Sequence, residues 1–321
     1  MDSALRRIRI AVSTGRLRGL PAEPGTPEIT LLGAGESYVA WRIGSGDQAQ
    51  VLRVPRRSPH EMPRSMMAEF ETLRRVPPEL GTSAIALETG TDNPLGIPYM
   101  VTTHVSGRAL RATDWNPRLA TALAHQIARL HEAFATSPAP SAVFVPSAGE
   151  QGEELLTWWG RHHPETLTDP RVSALLPAWC RELTRLTPAF EAVPTHPLIH
   201  GDVVVTNVIL GPDGVPRLID FEWSGPGDRA KDLALIGGRV IGGPWYLPMT
   251  PDDVAAFVTE YSRYSRHTGA IDPQQLLERR DAYELLDRMG NLLYCLSRPG
   301  EARYGMWADE IARNLTDRLA D

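Results

Sequence analysis

The chain has 321 residues, 42% of them hydrophobic and 22% charged, which fits one large or two closely joined folded domains and excludes a mainly disordered chain. A net charge of −6 argues against a nucleic-acid partner, which calls for a basic stripe able to displace counterions from phosphates, and suits a cationic one better. Two distant cysteines, Cys180 and Cys295, offer neither a disulfide framework nor a thiolate metal site and read as buried thiols; no run of about 18 apolar residues marks a membrane span, so the expected location is the cytoplasm.

After a first helix-like stretch, EITLLGAGESYVAWRIG, AQVLRVPRR and IPYMVTTHV carry β-branched and aromatic residues in short runs broken by turn residues, as antiparallel strands do. Between them PRSMMAEFETLRRV places Met66, Phe70 and Leu73 at helical spacing, so a helix interrupts a small sheet. The character changes near Gly107. WNPRLATALAHQIARLHEAF sets Leu119, Leu123, Ile127 and Leu130 on one helical face, a Pro- and Ser-rich loop follows at TSPAPSAVFVPSAG, and further helices continue towards the C-terminus. The expected fold is α+β, with a small antiparallel-sheet lobe over residues 1–104 and a larger, mainly helical lobe over 105–321.

The chemistry concentrates in HGDVVVTN, residues 200–207, and in the VIL–GPDG–VPRLID stretch after it. GPDG is a turn sequence between two apolar runs, so the stretch reads as a β-hairpin that returns Asp220 towards Asp202 and Asn207. Two carboxylates and an amide oxygen in one cleft are hard oxygen donors of the kind Mg²⁺ prefers, and two like charges placed together repel without a cation.

This arrangement resembles the protein-kinase-like fold, in which an Asp, an Asn five positions later and an Asp-Phe pair serve phosphoryl transfer. HGD, IDFE and GPGDRAKDLA resemble more narrowly the aminoglycoside phosphotransferase family, whose relatives include choline kinase and other small-molecule kinases. The resemblance spans about residues 30–235 and implies a bilobal fold that binds ATP and Mg²⁺. It assigns Asp202 to the acceptor hydroxyl, Asn207 and Asp220 to the metal, and a structural role to His200. In GAGES it implies that Gly33, Gly35 and Ser37 approach the phosphates. Arg53 then takes the place of the usual strand lysine, with Glu69 rather than Glu71 as its ion-pair partner, and main-chain groups near Thr103 and Val105 meet the adenine edge.

Glu222 stands where protein kinases have the glycine of Asp-Phe-Gly, and helix-like sequence resumes near Arg229, leaving little room for a peptide platform. The acceptor is therefore expected to be a small molecule. Its candidate contacts are Trp158, Trp159, Glu222, Asp228, Tyr294, Trp307, Asp309 and Glu310: acids for amines and aromatic faces for cations or sugar rings. The resemblance favours a cationic antibiotic, an aminoglycoside or a basic peptide such as viomycin or capreomycin, with antibiotic resistance as the result. A metabolic kinase for choline, homoserine or a thiosugar and a non-catalytic nucleotide-binding module stay open.

Overall fold

Alternation of apolar and polar side chains builds the sheet near the N-terminus, and helical spacing builds most of the remainder. The computed structural model describes residues 2–20, 28–136, 143–265 and 272–320, so residues 137–142 of the expected Pro- and Ser-rich loop lie outside the described residues. The chain divides into two compact units, one formed by residues up to Arg108 with Ile209–Asp213 and Arg217–Ser224, the other by Ala109–Val208, Gly214–Pro216 and the residues from Gly225 onward.

The first unit opens with helix α1 (Asp2–Ser13), followed by strands β1 (Ile29–Ala34), β2 (Tyr38–Ile43) and β3 (Gln50–Pro55), helix α2 (Met66–Leu73), and strands β4 (Ala84–Glu88) and β5 (Tyr99–Thr103). The strands form one antiparallel sheet in the order β1-β2-β3-β5-β4. Its two faces differ because side chains alternate along each strand. Trp41, Ile43, Leu52 and Val101 pack on one face against Ile8, Ala11 and Val12 of α1. Ala40 and Arg53, paired across β2 and β3, lie on the opposite one. Helix α2 is capped by the Ser65 hydroxyl, which accepts from Ala68 N, and its buried residues are Glu69, Thr72 and Leu73. Met66 and Phe70, expected to carry its apolar face, are only half-buried. An acid therefore occupies the inward side of this helix.

The chain next runs through the two-residue strand β6 (Arg108–Ala109), and then the second unit begins in earnest with helices α3 (Pro117–Phe134), α4 (Ala148–His162), α5 (Pro164–Leu167) and α6 (Pro170–Leu186) and strand β7 (His196–Ile199). Asn116 caps α3 by accepting from Arg118 N and Leu119 N, Pro117 fits the first turn, and Leu119, Leu123, Ile127 and Leu130 form the buried face as expected. Strands β8 (Val208–Leu210) and β9 (Pro216–Leu218) pair as the expected hairpin. Strand β10 (Gly225–Gly227) pairs antiparallel with β7. Helices α7 (Arg229–Leu235), α8 (Pro251–Tyr264), α9 (Pro273–Leu296) and α10 (Ala302–Ala320) complete the chain. Cys295 is buried in α9, but Cys180 is exposed on α6, because its helix turns that position away from the core face of Val172, Leu175, Trp179 and Leu183. No helix among the described residues is long and apolar enough to cross a membrane.

Candidate active site

In the first unit the chemistry is organised around Arg53. One guanidinium nitrogen donates to Glu69 and the other to Asp220 Oδ1 at 2.6 Å, while the group lies 4.1 Å from the centre of the Tyr38 ring. Glu69 is 1% exposed and Arg53 7%. The ion pair expected from the resemblance therefore forms with Glu69, whereas Glu71 stays exposed and approaches Arg74. Burial raises the Glu69 pKa, with the neighbouring Asp220 adding to the rise and Arg53 opposing it. Asp220 holds φ at +65°, a left-handed conformation that costs a non-glycine residue energy and persists where the surroundings enforce it.

Glu222 lies with these residues. Burial pushes its carboxyl up to about 7, helped by Asp220 and opposed by Ser37 and Arg53. Its neighbours are Ser37 of the Gly-rich turn, Asp220 of the Asp-Phe segment and Arg53. Ser37 and Glu222 approach each other here, as do Tyr38 and Glu69, and all four polar groups are buried. Glu69 and Asp220 thus share one guanidinium, with Glu222 close by. Among the described residues no three acids, histidines or cysteines are already drawn together as a metal cage.

Gly33 lies near the end of β1, paired with Ala40 of β2, and Gly35 in the turn that follows, both exposed. A Cβ on Gly33 would meet nothing within 4 Å, and one on Gly35 only the Tyr38 carbonyl at 3.7 Å. The chain's own packing does not require glycine at either position. Thr103, in contrast, is occupied within the protein: its N–H donates to Ser83 O, its carbonyl accepts from the Thr82 hydroxyl, and its own Oγ1 accepts from Ser83 N, each at 2.9 Å. His104 N donates to Ala49 O.

In the second unit Asp202 follows Gly201, whose φ of +80° turns the chain sharply after β7. Its Oδ2 accepts from Asn207 Nδ2 at 2.7 Å, and its backbone carbonyl accepts from the same nitrogen at 3.1 Å. The spacing of five residues is closed by this amide, which leaves Asn207 Oδ1 for another partner. The loop hangs on Asp232 of α7. The two oxygens of this fully buried carboxylate accept from His200 N at 2.7 Å and Gly201 N at 2.8 Å, and His131 Nε2 lies 3.0 Å from Oδ2. Burial disfavours the charge of Asp232, but the contacts with His131 and His200 hold its pKa below the ordinary carboxylate range. His200 is buried, and its Nδ1 accepts from Asp202 N at 3.3 Å, a framework position. Asp232 lies inside GPGDRAKDLA and could have been singled out there, but its partners lie 31 and 32 residues away.

The expected acceptor residues separate into framework and wall. Asp228 caps α7 by accepting from Ala230 N and pairs with Arg279 Nε at 2.8 Å, both residues being buried. Trp159 is also buried, whereas Trp158 is 49% exposed and stacks on His162 beside Glu153 and Glu154 on the surface of α4. Asp309 pairs with Arg171 at 2.5 Å, and Glu310 accepts from Gly243 N at 3.2 Å. Tyr294 and Trp307 do meet, around a residue that sequence patterning did not single out: Trp245 has ring centres 6.3 Å from Tyr294 and 5.1 Å from Trp307. The Trp245 carbonyl accepts from Val205 N at 2.9 Å, which ties this aromatic group to the loop of Asp202. The adjacent Tyr246 donates to Asp287 at 2.7 Å and has its pKa raised first by burial, with the charges of Asp287 and Asp202 among the further causes.

Residues 28–276 match the phosphotransferase enzyme family. The chain is 29% identical over 215 residues to viomycin phosphotransferase of Streptomyces vinaceus, covering 60% of this chain and 71% of that protein. Among solved structures, the GDP and kanamycin complex of APH(2″)-IIIa aligns with a TM-score of 0.61 at 19% identity over 91% of this chain and 93% of its own. Choline kinase from Cryptosporidium parvum Iowa II aligns with a TM-score of 0.61 at 13% identity over 98% and 94%. The fold is that of these small-molecule kinases, and the chain belongs to the phosphotransferase enzyme family, as an ATP-dependent enzyme that phosphorylates a hydroxyl group.

Proposed function

We propose that the enzyme transfers the γ-phosphoryl group of ATP to a hydroxyl of a small cationic antibiotic, an aminoglycoside or a basic peptide of the viomycin type, and so confers resistance in the cytoplasm. The observation that carries the catalytic part is the fixed carboxylate of Asp202, held by the Asn207 amide in a loop suspended from Asp232. In this reading Asp202 orients the acceptor hydroxyl and takes its proton late in the transfer. A strong base is unnecessary, because phosphoryl transfer rests on alignment and charge neutralisation.

Arg53 neutralises the nucleotide phosphates from a position set by Glu69. Gly33 and Gly35 let main-chain N–H groups approach the phosphates, and Ser37 adds a hydroxyl donor. With the Thr103 N–H already used, the adenine contact falls to Val105. Asn207 and Asp220 are assigned to Mg²⁺, which when bound offsets the charge on the phosphate oxygens. Each supplies a hard oxygen of the kind such a cation takes.

The antibiotic assignment draws on the viomycin phosphotransferase relative and on the acids and aromatic rings of the second unit. Trp245 and Trp307 offer ring faces to a cation, with Glu310 in the same part of the fold, whereas Arg298 already lies 3.6 Å from the centre of the Tyr294 ring and Asp287 pairs with Arg288. The test is an ADP-release screen of purified protein against aminoglycosides, viomycin, capreomycin, choline and homoserine. A resistance assay in a susceptible bacterium accompanies it, with Asp202→Ala as control. Turnover of a cationic antibiotic with matching resistance supports the reading; efficient turnover of a metabolic alcohol alone replaces it.

A further inference from the structure

The face of the first sheet opposite to Arg53 carries a groove that phosphoryl transfer does not use. Strand register sets Leu31 against Trp41, Ala34 against Val39, and Val39 against Val54, so these side chains share one face. Helix α1 covers only part of it, through Ile8 and its neighbours on Trp41 and Ile43. Beyond the helix remains a cavity of about 310 Å³, whose floor includes Leu31, Val39, Trp41 and Val54. That is the low end of the size of small-ligand sites, which run from roughly 300 to 1,000 Å³. Leu31 and Ile97, both lining it, stay 38% and 37% exposed.

The charge on the rim has one sign. Arg7 of α1 and Arg56, just beyond β3, both line the groove, and none of its described lining residues is acidic. Arg56 also reaches the Gly-rich turn: its guanidinium donates to the Gly35 carbonyl and its backbone N–H donates to Ser37 O at 2.8 Å. One arginine therefore touches both the groove and the turn between β1 and β2.

We propose that this groove is a regulatory site for a small amphiphile with an acyl chain and a carboxylate head. The chain lies on the apolar floor and the head sits between Arg7 and Arg56. Engagement of Arg56 by the carboxylate weakens its hold on the Gly35 carbonyl and so alters nucleotide affinity. This second half rests on the Gly-rich turn contacting phosphates, but binding in the groove does not. A free carboxylate, rather than a lipid surface, fits a cavity that takes one small molecule and has two cations at its edge.

The probe is decanoate, titrated calorimetrically into the full chain, with decan-1-ol and decyltrimethylammonium as head-group controls. Decanoate is expected to saturate one site, with both controls weaker by about tenfold or more, since a charge-assisted contact is worth at least that factor. Leu31→Glu, which sets a like charge on an already exposed part of the floor, should abolish binding, and Arg7→Ala should weaken it. Circular dichroism and the melting temperature of each variant confirm that it folds. Decanoate should shift the Kd for ADP in the parent but not in Arg56→Ala. The proposal is overturned if decanoate does not saturate, if Leu31→Glu binds it unchanged, if decan-1-ol binds equally well, or if ADP affinity ignores decanoate. Flotation with phosphatidylglycerol vesicles forms the last arm: protein left in solution supports the free-ligand site, and protein floating with the vesicles replaces it with a membrane surface. Because the calorimetry needs no turnover, failure here is distinguishable from failure of the proposed reaction.

Discussion

Arg53 is a bridge between Glu69 and Asp220, donating through separate guanidinium nitrogens to a carboxylate on α2 and to one after β9. Removing it strands Glu69 in an apolar setting with a second acid close by. Arg53→Ala is expected to lose about 3–5 kcal/mol of stability, the usual result of breaking a buried pair from one side. ADP affinity should fall with it. Arg53→Lys keeps the charge but not the fork and should fall between the two proteins. Urea unfolding and ADP calorimetry on the three proteins check both effects.

Asp202→Ala should lower kcat by about 10²–10⁴, the range usual for loss of a positioned base, and leave ADP affinity unchanged. Asn207→Ala should impair both turnover and the dependence of nucleotide binding on Mg²⁺, since the amide both holds Asp202 and presents Oδ1. Single-turnover kinetics with parallel calorimetry separates the two; an Asp202→Ala variant that turns over at the parent rate contradicts the role given to that residue.

His196 supplies a pH dependence of stability. Burial, followed by the neighbouring His131, pushes its pKa down to about 3, whereas an unfolded histidine titrates near 6.5. The unfolded chain therefore binds the proton first as pH falls. The stability contribution of the neutral ring is complete above about 6.5 and is lost as pH drops towards 3, by up to about 1.4 kcal/mol per pH unit. His196→Asn, which retains a donor near the Leu198 carbonyl, should flatten this part of the profile. Urea midpoints between pH 4 and 7 measure it.

Gly81 passes so close to β9 that a Cβ there would lie 2.1 Å from the Leu218 carbonyl oxygen. Gly81→Ala must push the strands apart two residues before Asp220, at a cost of about 1–3 kcal/mol. ADP affinity should weaken along with stability. A variant with parent stability and parent affinity would show that the strand shifts without disturbing Asp220.

Trp245→Ala is expected to raise the acceptor KM while kcat and ADP affinity change little, because the ring belongs to the proposed acceptor wall. A cation–π contact of roughly 1–2 kcal/mol corresponds to about a five- to thirtyfold change. Trp245→Phe should recover part of it. Steady-state kinetics with the acceptor identified by the screen provides the measurement.

Much of this arrangement could be read from residues in order along the chain. The helical spacing of α3, the hairpin turn at GPDG and the Asp–Asn spacing of five are local patterns, and each corresponds to a local bond or a buried face. The match of Arg53 to Glu69 over Glu71 was legible through the resemblance, because two positions on a helix separate the inward side from the outward one. What stayed hidden depends on tertiary packing. Asp228 and Trp159 look like binding residues by type, yet one is a cap and ion-pair partner and the other lies in the core. Trp245 sits outside any helix or strand period, so only the fold shows it beside Tyr294 and Trp307. The inward acid of α2 likewise ran against its Met–Phe–Leu pattern.

The bond from Val205 N to the carbonyl of Trp245 involves backbone alone. Any residue at position 245 keeps that bond, so the side chain there can drift under selection without loosening the loop of Asp202. Together with the clamp of Asp232 on two main-chain amides, the bond makes the position of Asp202 indifferent to which side chain stands at 245.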